Sequence, residues 1–63
     1  MRKDKFYKNP CTGTVQTGMD WRNDLKANLT LCGVSVENES GLSFLNAVLV
    51  EVKWIEGEWI DQR

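Results

Sequence analysis

Apolar and charged residues alternate near the end of the chain. From Val50 to Trp54 every second residue is apolar, and Glu51 and Lys53 stand between them. A period of two predicts a β-strand with one buried face. The predicted buried face also includes Val48, two residues before Val50. It therefore holds Val48, Val50, Val52 and Trp54.

This strand is followed by a turn at Glu56-Gly57. A two-residue turn places Trp54 opposite Trp59 on a second strand, whereas a three-residue turn pairs Ile55 with Trp59. Both registers direct Trp54 into the core. They differ on Trp59, which is either a core residue or an exposed contact residue.

A helix is predicted in the first half of the chain. Trp21, Leu25 and Leu29 recur at intervals of four residues, the spacing of a helix with one buried stripe. Thr17 precedes the stripe and is expected to accept a hydrogen bond from the backbone N–H three residues on, and Asn28 marks the end. Such a short helix must dock on a sheet to be stable.

The segment Asn9–Gly13 has the composition of a turn. Pro10 presets φ, the side chain of Asn9 can bond back to the backbone, and Gly13 can take the left-handed conformation. The segment therefore predicts a hairpin with strands at 5–9 and 14–17, to which Phe6, Tyr7 and Val15 supply the apolar contacts.

The apolar run 42–55 is too long for a single regular strand. Either residues 42–46 form a helical turn that leads into a strand, or the strand is bulged near Asn46. The bulged strand is favoured because Ser43 and Gly41 are weak helix formers.

Together these elements predict an α+β fold. Val34 and Val36 alternate with polar residues, which adds a strand within 29–36. The element order is then β-β-α-β-β-β, a small antiparallel sheet of about five strands with one amphipathic helix packed on the valine face. The 63 residues form a single domain, 1–63, in which residues 1–4 are a flexible basic N-terminus.

Cysteine usage and hydropathy indicate the compartment. Cys11 and Cys32 are expected to be free thiols in a reducing cytoplasm, and a bridge between them would require export. No apolar run is long enough to cross a membrane. We therefore expect a cytoplasmic protein that makes no membrane contact.

Catalysis is not expected. The chain has no histidine to act as a general base, no glycine-rich phosphate loop and no metal-ligand spacing. We expect no catalytic residue, metal, cofactor or small-molecule substrate. The length and general character of the sequence resemble those of small bacterial or phage proteins, so we expect an inhibitor or regulator from a mobile genetic element.

Charge and aromatic residues favour a protein-interaction module. The N-terminus is basic, whereas 37–63 carries six carboxylates against two cations. A protein partner, or a second copy in a homo-oligomer such as a dimer, would cover the aromatic residues near the C-terminus. The predicted contact residues are Trp59, Glu56, Glu58 and Asp61.

Nucleic-acid binding is the alternative function. Basic residues interleave with Phe6 and Tyr7 near the N-terminus, and such rings can stack bases while the cations contact phosphates. The acidic overall pI of 5.2 counts against this alternative. The residues that would carry it are Arg2, Lys3, Lys5, Tyr7 and Lys8.

Overall fold

The computed structural model describes residues 1–36 and 41–62. Within these ranges the chain forms six strands and two helices. The strands are β1 (Phe6–Lys8), β2 (Val15–Thr17), β3 (Leu29–Leu31), β4 (Val34–Val36), β5 (Val50–Ile55) and β6 (Glu58–Asp61), and the helices are α1 (Gly18–Lys26) and α2 (Gly41–Val48).

Four of the strands form an antiparallel sheet in the order β2-β1-β5-β6, and β3 pairs with β4 in a separate hairpin. The predicted α+β class is confirmed, although the described residues contain a second helix and divide their strands between two sheets. Both terminal hairpins are present. In the second, the two-residue turn is the correct alternative, because Trp54 pairs with Trp59.

The core lies between one face of the four-stranded sheet and the two helices. Trp21 of α1 is only 2% exposed, and its indole N–H donates to the backbone oxygen of Tyr7 at 3.0 Å. This bond satisfies the one polar group of a large buried side chain. The buried cluster consists of Tyr7, Trp21, Leu25, Leu31, Val36, Leu45 and Leu49.

The start of α1 is fixed by its cap and by the N-terminal segment. The hydroxyl of Thr17 accepts from the backbone N–H three residues on at 3.2 Å, as predicted. The N–H of Met19 donates to the carbonyl of Lys3, and a Cβ on Gly18 would collide with the carbonyl of Arg2. The N-terminal residues, which were expected to be flexible, are thus hydrogen-bonded against the helix.

The helices do not pack on the sheet face that the sequence predicted. Paired residues of neighbouring strands share a face, and the pairing places Val52 beside Phe6 but Glu51 beside Tyr7. Tyr7 belongs to the cluster that contains the helices. Val52, and Trp54 two residues on, therefore lie on the opposite face. Alternation shows which residues share a face, but it does not show which side the helices cover.

Residues 42–46 are helical, so the prediction of a bulged strand was wrong. They lie within α2, and Val48 ends this helix instead of joining the buried face of the strand. Leu45 is fully buried, and its carbonyl accepts the N–H of Leu49, which extends the hydrogen-bond pattern by one residue. A nearly continuous apolar run conceals the helical period, because helix and strand templates both match it.

The single strand predicted within 29–36 is in fact a tight hairpin. Cys32 and Gly33 have φ values of 51° and 79°, and they form the two-residue turn between β3 and β4. The hairpin buries Leu31 completely, whereas Thr30 and Ser35 are exposed. Cysteine is an unusual residue for the first turn position, which is why the turn was missed.

A disulfide joins Cys11 and Cys32, so the prediction of two free thiols was wrong. Their Cα atoms are 5.5 Å apart, and the bridge links the Asn9–Gly13 turn to the tip of the β3–β4 hairpin across 21 residues of sequence. Packing of Leu31 into the core brings this hairpin against the end of the larger sheet. The proximity of the two cysteines is a tertiary effect that their spacing does not reveal.

Candidate protein-contact surface

Three aromatic side chains form a continuous surface on the sheet face opposite the helices. The rings of Phe6 and Trp59 have centroids 5.0 Å apart, and those of Trp54 and Trp59 are 5.1 Å apart in an edge-to-face arrangement. Phe6 lies on β1, Trp54 on β5 and Trp59 on β6, and strand pairing alone brings them together. We call Phe6, Trp54 and Trp59 the aromatic surface.

The aromatic surface covers a small second core. Val52 lies on this face between Phe6 and Asp61 in the strand register and is only 2% exposed. At the rim, the ammonium of Lys8 contacts the carboxylate of Asp61 at 2.9 Å. Trp54, in contrast, is 60% exposed, so the prediction that it is a core residue was wrong. The sheet is therefore apolar on both faces, and only one face is covered by helices.

The end of the β5–β6 hairpin extends beyond the rest of the sheet. Of the six residues of β5, only Val50–Val52 pair with β1. Beyond Val52, β6 is the one neighbour of β5 among the described residues. We call residues 53–60 the hairpin tip. Every residue from Lys53 to Glu58 is exposed, and Ile55 is 45% exposed.

The structure divides the four predicted contact residues between the two sides of the hairpin. Trp59 and Asp61 share the face of the aromatic surface, because they pair with residues of that face. Glu58 pairs with Ile55 on the other face, and Glu56 occupies the turn. Glu56 and Glu58 form no ion pair within 1–36 and 41–62.

The residues of the nucleic-acid alternative are less accessible than the sequence suggests. Tyr7 is buried in the core and its hydroxyl accepts the backbone N–H of Arg2, so its ring is not free to stack on a base. The side chains of Arg2, Lys5 and Lys8 each contact a carboxylate. Only Lys3 of the five predicted residues keeps an unpaired charge in the described structure.

Sequence reasoning missed two members of the aromatic surface. Phe6 had been grouped with Tyr7 as a contributor to hairpin packing, yet neighbouring residues of a strand face opposite sides. Trp54 had been placed in the core with the valines. The strand pairing within each hairpin could be predicted from the sequence. The order in which the strands of the two hairpins lie in the sheet could not.

The described residues contain no group of three or more side chains suited to hold a metal ion. No helix in the same ranges is long and apolar enough to span a bilayer. Comparison of the chain with family models, with curated proteins and with solved structures found no match. The candidate function must therefore be argued from the aromatic surface and the charges around it.

Proposed function

We propose that this chain is a non-catalytic protein-interaction module. Its aromatic surface and acidic hairpin tip bind a protein surface that presents apolar and basic side chains. The observation that carries the proposal is the aromatic surface, in which exposed Phe6 and Trp54 pack on the partly buried Trp59, on the sheet face that no helix of the described residues covers.

The aromatic surface has the properties of an interaction hot spot. Tryptophan offers a large rigid contact area and loses little conformational entropy on binding. Trp54 is held edge-on against Trp59, so its orientation is fixed before a partner arrives. A partner that covers Trp54 removes apolar area from water at about 25 cal/mol per Å². The free chain leaves that area exposed.

The charges of the tip indicate what kind of partner fits. Glu56 and Glu58 are exposed and unpaired in the described structure, and Lys53 is the only cation of the tip. Carboxylates at the rim of an interface accelerate association with a basic surface and fix its orientation. Arginine side chains of the partner can also stack on the exposed indole of Trp54. A basic groove on another protein, such as that of a nucleic-acid enzyme, has the required chemistry.

A capture experiment with matched variants tests the proposal. The wild-type chain, Trp54→Ala and Val34→Ala serve as baits, because Val34 is also an exposed apolar residue but lies on the separate β3–β4 hairpin. We expect a specific partner to be retained by wild type and Val34→Ala and lost with Trp54→Ala. Binding to the purified partner should weaken with salt and with Glu56→Gln/Glu58→Gln.

Two results would count against the proposal. Partner binding that is unaffected by Trp54→Ala would exclude the aromatic surface as the contact. Binding to single- or double-stranded nucleic acid at low salt, abolished by Lys3→Gln, would favour the alternative function instead.

The disulfide bears on where the module acts. The cytoplasmic location expected from the sequence was based on free thiols, and the bridge between Cys11 and Cys32 removes that support. Disulfides persist in oxidising compartments and are rare in the cytoplasm. We propose that the oxidised chain is the working form. Trapping of thiols in freshly lysed cells tests this, since alkylation of both cysteines would show that the reduced form predominates.

A further inference from the structure

A second surface feature lies on the outer side of α1, away from the aromatic surface. A groove of about 440 Å³ runs between this helix, the first turn of α2 and the N-terminal segment. We call it the cationic groove. Its lining residues are Lys3, Met19, Arg22, Asn23, Leu25, Lys26 and Leu42.

The cationic groove concentrates unpaired positive charge. Lys3, Arg22 and Lys26 line it and form no ion pair within the described residues, and no carboxylate is among the lining side chains. The guanidinium of Arg22 is held in place because one of its terminal nitrogens donates to the carbonyl of Met1 at 2.9 Å. Its Nε is buried and has no hydrogen-bond acceptor among residues 1–36 and 41–62.

Apolar side chains lie among these cations. Met19 is 49% exposed, and Leu42 is partly buried and packs against the core. A ligand for the groove must therefore combine negative charge with an aliphatic group. Neither inorganic phosphate nor a simple hydrocarbon satisfies both requirements.

The hairpin tip of the same chain has that combination. Ile55 and Glu58 are directly paired across the strands, and Glu56 follows Ile55 in the turn. An exposed isoleucine thus stands between two carboxylates that form no ion pair with any described residue, on the opposite side of the hairpin from the aromatic surface. Lys53, two residues before Ile55, marks the limit of this acidic region.

We propose that the cationic groove binds the hairpin tip of a second copy of this chain. Ile55 of one copy lies on Met19 and Leu42 of the other, and Glu56 and Glu58 approach the groove cations. The inference rests on the proposed function, because it uses the acidic tip as a protein contact, and it adds a second copy of the chain as a partner for that tip. Only the Ile55 side of the tip enters the groove, so the aromatic surface on the other side of the hairpin stays free.

The sizes of the two features agree. Met19 and Lys26 are seven residues apart on α1, which spans about 10 Å at 1.5 Å per residue. A two-residue hairpin end has strands about 5 Å apart, so it fits along such a groove with its side chains. The contact is small, and we expect weak, concentration-dependent association. If each copy inserts its tip in the groove of the other, the two contacts close a two-fold dimer.

A charge-swap experiment tests this contact. Sedimentation velocity is measured from micromolar to millimolar concentration for wild type, for Glu56→Lys/Glu58→Lys and for Lys3→Glu/Lys26→Glu. Wild type should associate, and both double variants should associate about tenfold more weakly or not at all. The quadruple variant restores complementarity and has the wild-type net charge of −1, so it should associate again. Ile55→Ser should weaken association without any change of charge.

Three outcomes would overturn the inference. These are a wild type that stays monomeric at all concentrations, association that survives both charge reversals, and a quadruple variant that fails to recover although its circular dichroism spectrum is native. Trp54→Ala separates this inference from the proposed function. The substitution should leave self-association intact while it abolishes capture of a foreign partner.

Discussion

Removal of the disulfide should cost this chain a large part of its stability. The bridge between Cys11 and Cys32 closes a loop across 21 residues. In the chain-entropy model a loop of this length restricts the unfolded state by about 3 kcal/mol at 25 °C. A domain of this size has a total stability of only a few kcal/mol, because it buries about 60% of the surface of its unfolded chain.

Urea unfolding of the Cys11→Ser/Cys32→Ser variant, followed by circular dichroism, measures this loss. We expect the free energy of unfolding to fall by about 3 kcal/mol and Tm to fall by about 12–24 °C. A reducing agent should destabilise wild type by a similar amount and should leave the double variant unchanged. A loss below about 1 kcal/mol, with the bridge confirmed by mass spectrometry in wild type, would refute this reasoning.

Three further predictions concern packing. Trp21→Phe removes the buried hydrogen bond from the indole to the carbonyl of Tyr7 and shortens a core side chain, so it should lower the free energy of unfolding by about 2 kcal/mol, as measured in urea. Trp54→Phe, on the exposed face, should lower the free energy of unfolding by less than about 1 kcal/mol in the same assay. Equal losses for the Trp21 and Trp54 variants would contradict the assignment of faces. Gly18→Ala should lower the free energy of unfolding by about 2 kcal/mol, because the added Cβ collides with the carbonyl of Arg2. A gain in stability, which is expected for alanine in a helix with free space around it, would show that the N-terminal segment does not pack there.

The elements governed by local chemistry could be predicted from the sequence. The hydroxyl of Thr17 caps α1, and Asn9 accepts the N–H of Cys11 within the first turn. Glu56-Gly57 forms a two-residue turn with both φ angles positive. Each of these features depends on a few neighbouring residues, so the sequence pattern specifies it directly.

Features that depend on distant contacts could not be predicted in this way. The sheet is apolar on both faces, with Tyr7 on one and Val52 on the other, so hydrophobic alternation cannot indicate where the helices dock. For the same reason the exposed position of Trp54 was mistaken for a core position. The groove cations Lys3 and Lys26 come from segments far apart in sequence, and only the packed N-terminus unites them.

The strand order also determines when the protein can fold during its synthesis. β1 leaves the ribosome before β5, one of its two neighbours, whose residues are 42 to 46 positions later in the register. Until β5 emerges, the nascent chain exposes an unpaired edge on β1. A chaperone, or an exposed strand of another chain, therefore has access to that edge until β5 has been synthesised.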